Sequence, residues 1–299
     1  MNYDLKSRED GEPRRPTHWQ LRSSRLDFGP IPKLMGIVNV TPDSFSDGAA
    51  YLKPAAAVRH ALRLADEGAD LLDIGGESTR PYAEPVDAEE QLRRVLPVIE
   101  QLVTRTDVPL SIDTTRAAVA EAALAAGVQI INDVTGLEGD PCMLPLAVRS
   151  QAAVCVMHMQ GTPQTMQLQP CYQDVVAEVS AYLAHRRDRL LAAGMNRQRI
   201  CLDPGIGFGK TDRHNLALMA HCRPLHRLGC PLLVGHSRKG FLAKVLDDPA
   251  ADRSAATLGA ALALAGQGVQ ILRVHEIRPL REALLAYAAT GGMEGQPSG

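Results

Sequence analysis

The chain has 299 residues, of which 45% are hydrophobic and 22% are charged, and its formal net charge is −2. This composition is ordinary for a globular protein and gives no global attraction to nucleic acid or anionic lipid, so neither partner is expected. No apolar run reaches the roughly 18 residues of a transmembrane helix, and the charged N-terminus lacks a signal-peptide core, so we expect a cytoplasmic protein.

The chain begins with a polar segment rich in Arg and Pro, residues 1–16, which we interpret as a flexible tail. Weak alternation of apolar and polar residues over His18–Phe28 predicts a small hairpin or cap over one end of the following domain. We assign residues 17–290 to one domain and residues 291–299 to a flexible C-terminal tail.

From Leu34 onward, a short apolar run, a polar turn and a longer Ala- and Leu-rich segment succeed one another eight times. The predicted strands are Leu34–Val40, Leu71–Ile74, Leu110–Ile112, Val128–Ile131, Ala152–Met157, Ile200–Leu202, Leu232–Val234 and Ile271–Val274. The predicted helices are 54–68, 87–104, 115–126, 140–150, 173–194, 212–228, 239–267 and 278–288. Strands that alternate with helices pair in parallel through right-handed crossovers. Eight such units predict an α/β fold, a (β/α)8 TIM barrel, which typically needs roughly 250 residues.

Polar side chains occur at or just after the carboxyl end of every predicted strand. They are Asn39, Asp73, Asp113, Asn132, Asp133, His158, Asp203, His236, Ser237, Arg273 and His275. In a closed parallel barrel these ends meet on one face, where the active sites of such enzymes lie. Local turn chemistry explains any two or three of these positions, but recurrence at all eight strands indicates a shared site.

The turn after the second predicted strand runs from Asp73 to Pro81 and contains two glycines, a hydroxyl and one cation. The glycines would allow the backbone to approach a ligand closely. Arg80 could hold an anion through two parallel hydrogen bonds, or it could form an ordinary surface ion pair.

The turn at residues 203–211 ends in Gly-Lys-Thr and superficially suggests a phosphate-binding P-loop. The spacing excludes this motif, because its first glycine would fall on Pro204, and the dinucleotide pattern Gly-x-Gly-x-x-Gly is absent too. The turn instead offers one carboxylate, Asp203, and one aromatic ring, Phe208.

Cations are concentrated on the last two predicted strands. Arg238 and Lys239 follow the seventh strand, next to Ser237, and alternation places Arg273 and His275 on the same side of the eighth. The loops after these strands are the usual phosphate position in such barrels, so a site for a multiply charged anion is predicted. A histidine such as His275 is by itself more often structural, and the Met157 side chain could either fill the core or contact a ligand.

The six cysteines form no Cys-x-x-Cys pair and have no histidine at zinc-finger spacing, so we expect reduced, structural thiols. No Ser-His-Asp order or Cys-His pairing stands out, so covalent catalysis is not indicated.

Seven blocks of this sequence, in this order, resemble the dihydropteroate synthase family. They are residues 36–48, 73–81, 131–133, 157–163, 203–210, 237–239 and 273–275, and the resemblance extends over residues 34–280. It implies a transferase in which 4-aminobenzoate attacks the methylene carbon of 6-hydroxymethyl-7,8-dihydropterin diphosphate. The products are 7,8-dihydropteroate and pyrophosphate, the cofactor is Mg2+, and the assembly is a homodimer.

The resemblance also implies roles for individual residues. The pterin ring would be bound by Asp113, Asn132, Asp203, Lys239 and Met157, with Asn39 on the magnesium ion. The diphosphate would be held by Arg80, Arg273 and His275, and the 4-aminobenzoate pocket would include Phe45, Thr79, Pro81 and Phe208. Ser237 is counted among the substrate-binding residues.

We interpret Thr41–Gly48 as a lid that orders when both substrates are present, so that Asp47 acts only in the closed state. In that state Asp47 would stabilise a cationic methylene or take the released proton. Together with Arg80, Lys239, Arg273 and His275 it forms the predicted catalytic set.

Three positions depart from the family pattern: Tyr82 follows Arg80-Pro81 where glycine is frequent, His236 replaces a small or apolar residue, and Gly240 replaces serine. All three flank the expected second-substrate site. A catalytically silent pterin-binding paralogue therefore stays open as an alternative. A folate-binding barrel that transfers methyl groups to a corrinoid is a further alternative, but it needs neither a diphosphate site nor aminobenzoate loops.

Overall fold

Eight parallel strands form the centre of the structure, a computed structural model that describes residues 15–41, 52–78 and 84–293. The barrel strands are β3 (Lys33–Asn39), β4 (Leu71–Gly75), β5 (Leu110–Asp113), β6 (Ile130–Asp133), β7 (Ala153–Met157), β8 (Ile200–Asp203), β9 (Leu233–Val234) and β10 (Ile271–Val274). They pair in the order β8-β7-β6-β5-β4-β3-β10-β9. A parallel bridge between Leu202 and Leu232 joins the two outermost strands, where the Leu202 N–H donates to the Pro231 carbonyl at 2.9 Å. The predicted (β/α)8 barrel is thereby confirmed.

Helices alternate with these strands around the barrel. They are α1 (Leu52–Asp66), α2 (Ala88–Leu102), α3 (Ala117–Ala125), α4 (Met143–Ser150), α5 (Val175–Ala192), α6 (Asp212–Ala220), α7 (Gly240–Val245), α8 (Ser254–Gly266) and α9 (Arg278–Ala289). Side-chain N-caps start three of them, since Asp87, Asp174 and Thr211 accept hydrogen bonds from backbone N–H groups of the first turn. Within the described ranges, none of these helices has both the length and the apolar character of a membrane span.

Two predicted helices are wrong in their extent. The segment 212–228 divides into α6 and a 3-10 helix, Arg223–Leu228, because Pro224 lacks a backbone donor and disfavours helical geometry before it. The segment 239–267 divides into α7 and α8. Asp247 there has a left-handed backbone with φ +54°, and Pro249 follows, so a continuous helix cannot form.

The predicted N-terminal hairpin is confirmed as β1 (His18–Gln20) paired antiparallel with β2 (Arg25–Asp27). Its Trp19, Leu21 and Leu26 pack with the barrel residues Met35, Leu71, Ile130, Ala153, Cys155, Cys201, Leu233 and Ile271. Several of these residues begin their strands, so the hairpin covers the amino end of the barrel. The Trp19 indole also donates to the Arg199 carbonyl at 3.0 Å. The carboxyl end of the barrel stays available for a ligand.

All six cysteines lie in the described ranges as free thiols. Cys155, Cys201, Cys222 and Cys230 are buried, whereas Cys142 and Cys171 are exposed, so packing explains only the first four.

Candidate active site

Polar side chains gather at the carboxyl ends of the barrel strands, a region that we call the barrel mouth. Three strands end one residue later than predicted and β6 ends two residues later, whereas β3 ends one residue earlier. Asn39, Asp113, Asp133 and Asp203 are therefore the last residues of their strands. The backbone of the last residue in a strand is still held by the hydrogen bonds of the sheet. The barrel mouth is therefore built mainly from side chains on fixed backbone.

Four residues of the barrel mouth join into one network, which we call the Arg273 cluster: Asp73, Asp113, Asn132 and Arg273. The Arg273 Nε donates to Asp73 Oδ2 at 2.6 Å, and its Nη2 donates to Asp113 Oδ2 at 2.8 Å. The Asn132 Nδ2 donates to the same Asp73 oxygen at 3.0 Å. The Arg273 cluster thus links strands β4, β5, β6 and β10.

Burial shapes the charges of this cluster. The Asp73 side chain is 0% exposed, that of Asp113 is 11% exposed and that of Arg273 is 20% exposed. Burial raises the pKa of Asp113 to about 7, although the Arg273 cation opposes the shift. For Arg273, burial alone lowers the pKa, but the Asp73 and Asp113 carboxylates outweigh it and the net pKa is raised. Arg273 therefore stays a cation at every pH at which the protein functions.

Asp203 ends β8, and Phe208 lies in the turn that follows this strand. The Gly205 N–H donates to Asp203 Oδ1 at 2.7 Å and fixes the carboxylate, whose pKa is raised by burial. Gly205 has φ +68°, and a Cβ placed on it would lie 1.9 Å from the His158 carbonyl oxygen. Only glycine allows the turn after β8 to approach the turn after β7 so closely.

Lys239 reaches into the barrel mouth from the turn after β9. Its Nζ donates to the Ile206 carbonyl and lies 4.6 Å from the centre of the Phe208 ring, a cation–π contact. Burial lowers the pKa of Lys239 to about 8, while the Asp203 carboxylate acts in the opposite direction. The predicted pair Lys239 and Phe208 is brought together with Asp203 on one side of the mouth.

Ser237 and His275 also meet, since His275 Nδ1 lies 3.0 Å from Ser237 Oγ. Arg238, which the sequence pattern groups with the other cations, points away instead and pairs with Glu276 at 2.5 Å on the surface. Its left-handed backbone, φ +56°, turns the side chain outward and explains this correction. Among the described residues of the barrel mouth, Arg273 is therefore the fixed cation, whereas burial lowers the pKa of Lys239 and of the lysine described next.

Lys210 is a buried residue of this region that the sequence pattern did not single out. Only 2% exposed, it donates to His158 Nδ1 at 2.9 Å and to the carbonyls of Phe208 and His158 at 2.8 and 3.3 Å. Burial lowers the pKa of His158 to about 3, so the ring is a neutral acceptor, and lowers that of Lys210 to about 7. Lys210 thus ties the turn after β7 to the turn after β8. Its position as a polar residue within a glycine-rich turn was the one feature of the sequence that could have indicated a role for Lys210.

Asn39 ends β3 and lies opposite Gly75 in the parallel ladder with β4. A Cβ placed on Gly75 would be 3.9 Å from Asn39 Oδ1 and 3.8 Å from Asp113 Oδ2, so these two side chains flank the same glycine. Met157 is buried beneath Gly205, whose Cβ would lie 3.1 Å from the Met157 Cγ. The predicted residues Phe45, Asp47, Thr79, Arg80 and Pro81 lie outside the described residues, as do Tyr82 and the part of the proposed lid that follows Thr41.

The structure explains one of the two remaining departures, His236, and does not explain Gly240. His236 is buried, and its Nε2 lies 3.1 Å from the Thr257 carbonyl oxygen, which attaches the turn after β9 to α8. Burial lowers the pKa of His236 to about 4, so the ring is neutral. Gly240 begins α7, and a Cβ there would meet nothing within 4 Å, so a serine side chain would have room.

Comparisons with known proteins agree with one another. The chain matches the pterin binding enzyme family over residues 35–275. A dihydropteroate synthase from Neisseria meningitidis serogroup C is 47% identical over 278 residues, covering 91% of this chain and 97% of the relative. The structure of Xanthomonas albilineans dihydropteroate synthase with 4-aminobenzoic acid is similar at TM-score 0.86 and 44% identity, covering 94% of this chain and 99% of that one. A Yersinia pestis dihydropteroate synthase in complex with a sulfonamide drug gives TM-score 0.85 and 44% identity, covering 91% and 98%.

Proposed function

The chain belongs to the dihydropteroate synthase family of pterin-binding enzymes, and from this premise we propose how its barrel mouth carries out the reaction. The enzyme condenses 6-hydroxymethyl-7,8-dihydropterin diphosphate with 4-aminobenzoate to give 7,8-dihydropteroate and pyrophosphate. The observation that carries the assignment of roles is the Arg273 cluster, which places a fixed cation beside carboxylate and amide groups suited to a polar ring. The proposed pterin and diphosphate subsites therefore lie side by side.

The pterin ring is bound by Asp113, Asn132, Asp203 and Lys239. Carboxylates accept hydrogen bonds from the ring N–H groups, Asn132 offers its amide oxygen because its Nδ2 is engaged by Asp73, and Lys239 donates. Met157 packs against a face of the ring. A buried polar site of this kind rejects analogues that lack the matching edges, because its own groups would be left unpaired.

The diphosphate is bound by Arg273 and His275, with Ser237 orienting the imidazole and Arg80 adding a second guanidinium. Guanidinium groups bind phosphate oxygens through paired, charge-assisted hydrogen bonds. These contacts strengthen as negative charge grows on the departing pyrophosphate. They therefore stabilise the transition state more than the ground state.

Asn39 fits a magnesium ion that arrives with the substrate. No group of three or more His, Cys, Asp or Glu residues in the described ranges suits a metal, whereas Mg2+ commonly uses one or two protein oxygens plus phosphate and water. The Asn39 amide oxygen, at the end of β3 and beside the same glycine as Asp113, would be such a ligand. When bound, the ion neutralises charge on the leaving group.

The substitution is dissociative in this proposal. The bond between the methylene carbon and the diphosphate oxygen breaks first, the pterin ring stabilises the cation, and the neutral amine of 4-aminobenzoate then forms the new C–N bond. The amine needs no base to attack, and its proton is released afterwards, with Asp47 as the proposed acceptor. Positioning and electrostatic preorganisation carry the rate.

The 4-aminobenzoate pocket combines Phe208 with Phe45, Thr79 and Pro81 from the two loops outside the described residues. Phe208 is held beneath Lys239 and at the turn that Lys210 secures.

Sulfonamides are expected to inhibit this enzyme competitively with 4-aminobenzoate, since they combine an aniline with an acidic group in the carboxylate position. The measurement is the rate of dihydropteroate formation as 4-aminobenzoate is varied at several sulfonamide concentrations and saturating pterin diphosphate. A rising apparent KM at constant maximal rate is expected. Noncompetitive behaviour, or no inhibition, would contradict the proposed pocket.

A homodimer and a cytoplasmic location complete the proposal. The family resemblance supports the dimer, and Val245 and Leu246 at the end of α7 expose apolar surface that association would cover. Free thiols at all six cysteines suit a reducing compartment.

A further inference from the structure

Asp73 carries a buried charge that the proposed reaction leaves without a role. It lies in the middle of β4, its side chain is fully buried, and a carboxylate in such a place is stable only when it is paired and hydrogen-bonded. Both of its partners, Arg273 Nε and Asn132 Nδ2, contact the single oxygen Oδ2. Its other oxygen, Oδ1, has no hydrogen-bond partner in the described part of the chain. Asp73 thus touches one residue of the proposed diphosphate subsite and one of the proposed pterin subsite.

Arg273 divides its guanidinium between two unequal carboxylates. Its Nε points to Asp73, which is fully buried, and its Nη2 points to Asp113, which is partly exposed at the barrel mouth. Asp113 is also the carboxylate that would accept hydrogen bonds from the pterin ring. Nη2 occupies Oδ2 of Asp113, and a pterin ring that donates two neighbouring N–H groups to both carboxylate oxygens competes with Nη2 for this oxygen. No ligand can reach the fully buried Asp73 without displacing the cluster.

We propose that Asp73 is a positioning residue that anchors Arg273, while Asp113 holds the same guanidinium only until the pterin ring replaces it. This inference rests on the proposed function and deepens it. Once the ring engages Asp113, the planar guanidinium pivots about the Nε–Asp73 hydrogen bond and presents its Nη N–H groups to the diphosphate. The anchor also keeps the Asn132 amide oxygen directed toward the ring. Binding of the pterin ring thereby frees the Arg273 guanidinium to bind the diphosphate.

The first test is the isosteric variant Asp73→Asn, with binding measured by calorimetry for pterin diphosphate and for 6-hydroxymethylpterin, which lacks the diphosphate. We expect the ratio of the two affinities to fall at least tenfold, because Arg273 loses its anchor. The KM for 4-aminobenzoate should change less than twofold, while kcat/KM for pterin diphosphate falls. A ratio that is unchanged or higher would overturn the anchor, because loss of a nearby negative charge alone would favour the diphosphate.

The matched control is Asp70→Asn. Asp70 lies just before the same strand, at the opposite end of the barrel, and it also receives cations, with Lys33 at 3.2 Å and Arg281 at 2.5 Å. This variant is expected to unfold more easily but to keep the wild-type affinity ratio. An equal fall of the ratio in both variants would assign the effect to general destabilisation and overturn the proposal.

The second test does not depend on a fully buried substitution. In Asp113→Asn, Arg273 Nη2 loses its competing carboxylate, so magnesium pyrophosphate alone is expected to bind about tenfold more tightly than to the wild type. Asp203→Asn removes a charge from the same mouth without touching Arg273, and less than a threefold gain is expected. An equal gain in affinity for magnesium pyrophosphate in both variants, or no gain in Asp113→Asn, would overturn the proposed exchange of partners at Asp113. If the wild type itself formed no dihydropteroate, the proposed function would fail, which is a separate outcome.

Discussion

Arg273→Ala is expected to lower kcat/KM for pterin diphosphate by roughly a hundredfold, equivalent to about 2–3 kcal/mol of transition-state stabilisation. Among the described side chains, the Arg273 guanidinium contacts one fully buried and one partly exposed carboxylate and belongs to the proposed diphosphate subsite. Its removal takes away charge-assisted hydrogen bonds that grow stronger as pyrophosphate departs. The measurement is steady-state kinetics with each substrate varied in turn.

The same change also leaves the Asp73 carboxylate buried without its cation. Removing one partner of a buried pair typically costs about 3–5 kcal/mol of unfolding free energy, so urea unfolding must accompany the kinetics. Arg238→Ala is the matched control, because Arg238 lies in the turn after the neighbouring strand but pairs with Glu276 on the surface. It should change kcat/KM less than twofold and stability by less than about 1 kcal/mol. Equal losses in the two variants would remove Arg273 from the reaction.

Gly205→Ala is expected to reduce the free energy of unfolding by about 3 kcal/mol and to abolish tight pterin binding. The left-handed backbone, φ +68°, costs roughly 1–2 kcal/mol for a residue with a Cβ. The Cβ would also lie 1.9 Å from the His158 carbonyl oxygen, and such overpacking typically costs about 1–3 kcal/mol. Separation of the two turns would displace Asp203 and Phe208 together.

Gly259→Ala is the control for this substitution. Gly259 lies within α8, and a Cβ there would meet nothing within 4 Å, so the change should stabilise the helix by roughly 0.5–1 kcal/mol. Urea unfolding of both variants measures the difference. Comparable stability of the two variants would show that the close approach at Gly205 is not required.

The barrel and the location of its site follow from periodic sequence patterns. Apolar runs at Leu34 and Ile271 mark fully buried strands, and polar residues such as Asp113 and Asp203 at strand ends mark the mouth. These features are local in sequence and depend on burial alone. The breaks within the two divided helices were not predicted, because Ala and Leu residues continue to occur on both sides of the turns at Pro224 and Pro249.

Other features depend on contacts distant in sequence and could not be read from the pattern. Asp73 and Arg273 are 200 residues apart and meet because the barrel closes. Lys210 is buried because three acceptors from two separate turns converge on its ammonium group. Arg238 and Lys239 are adjacent, yet backbone geometry sends one outward and the other into the mouth. Residue type predicted a charged site, and only the fold decided which charges belong to it.

The most direct measurement incubates the purified protein with 6-hydroxymethyl-7,8-dihydropterin diphosphate, labelled 4-aminobenzoate and Mg2+, and follows labelled dihydropteroate. We predict one dihydropteroate and one pyrophosphate for each diphosphate consumed, with loss of turnover when a chelator removes Mg2+. Pterin binding without any dihydropteroate would contradict the account and indicate a catalytically silent relative. Undiminished turnover in the chelator would instead contradict the proposed role of Asn39.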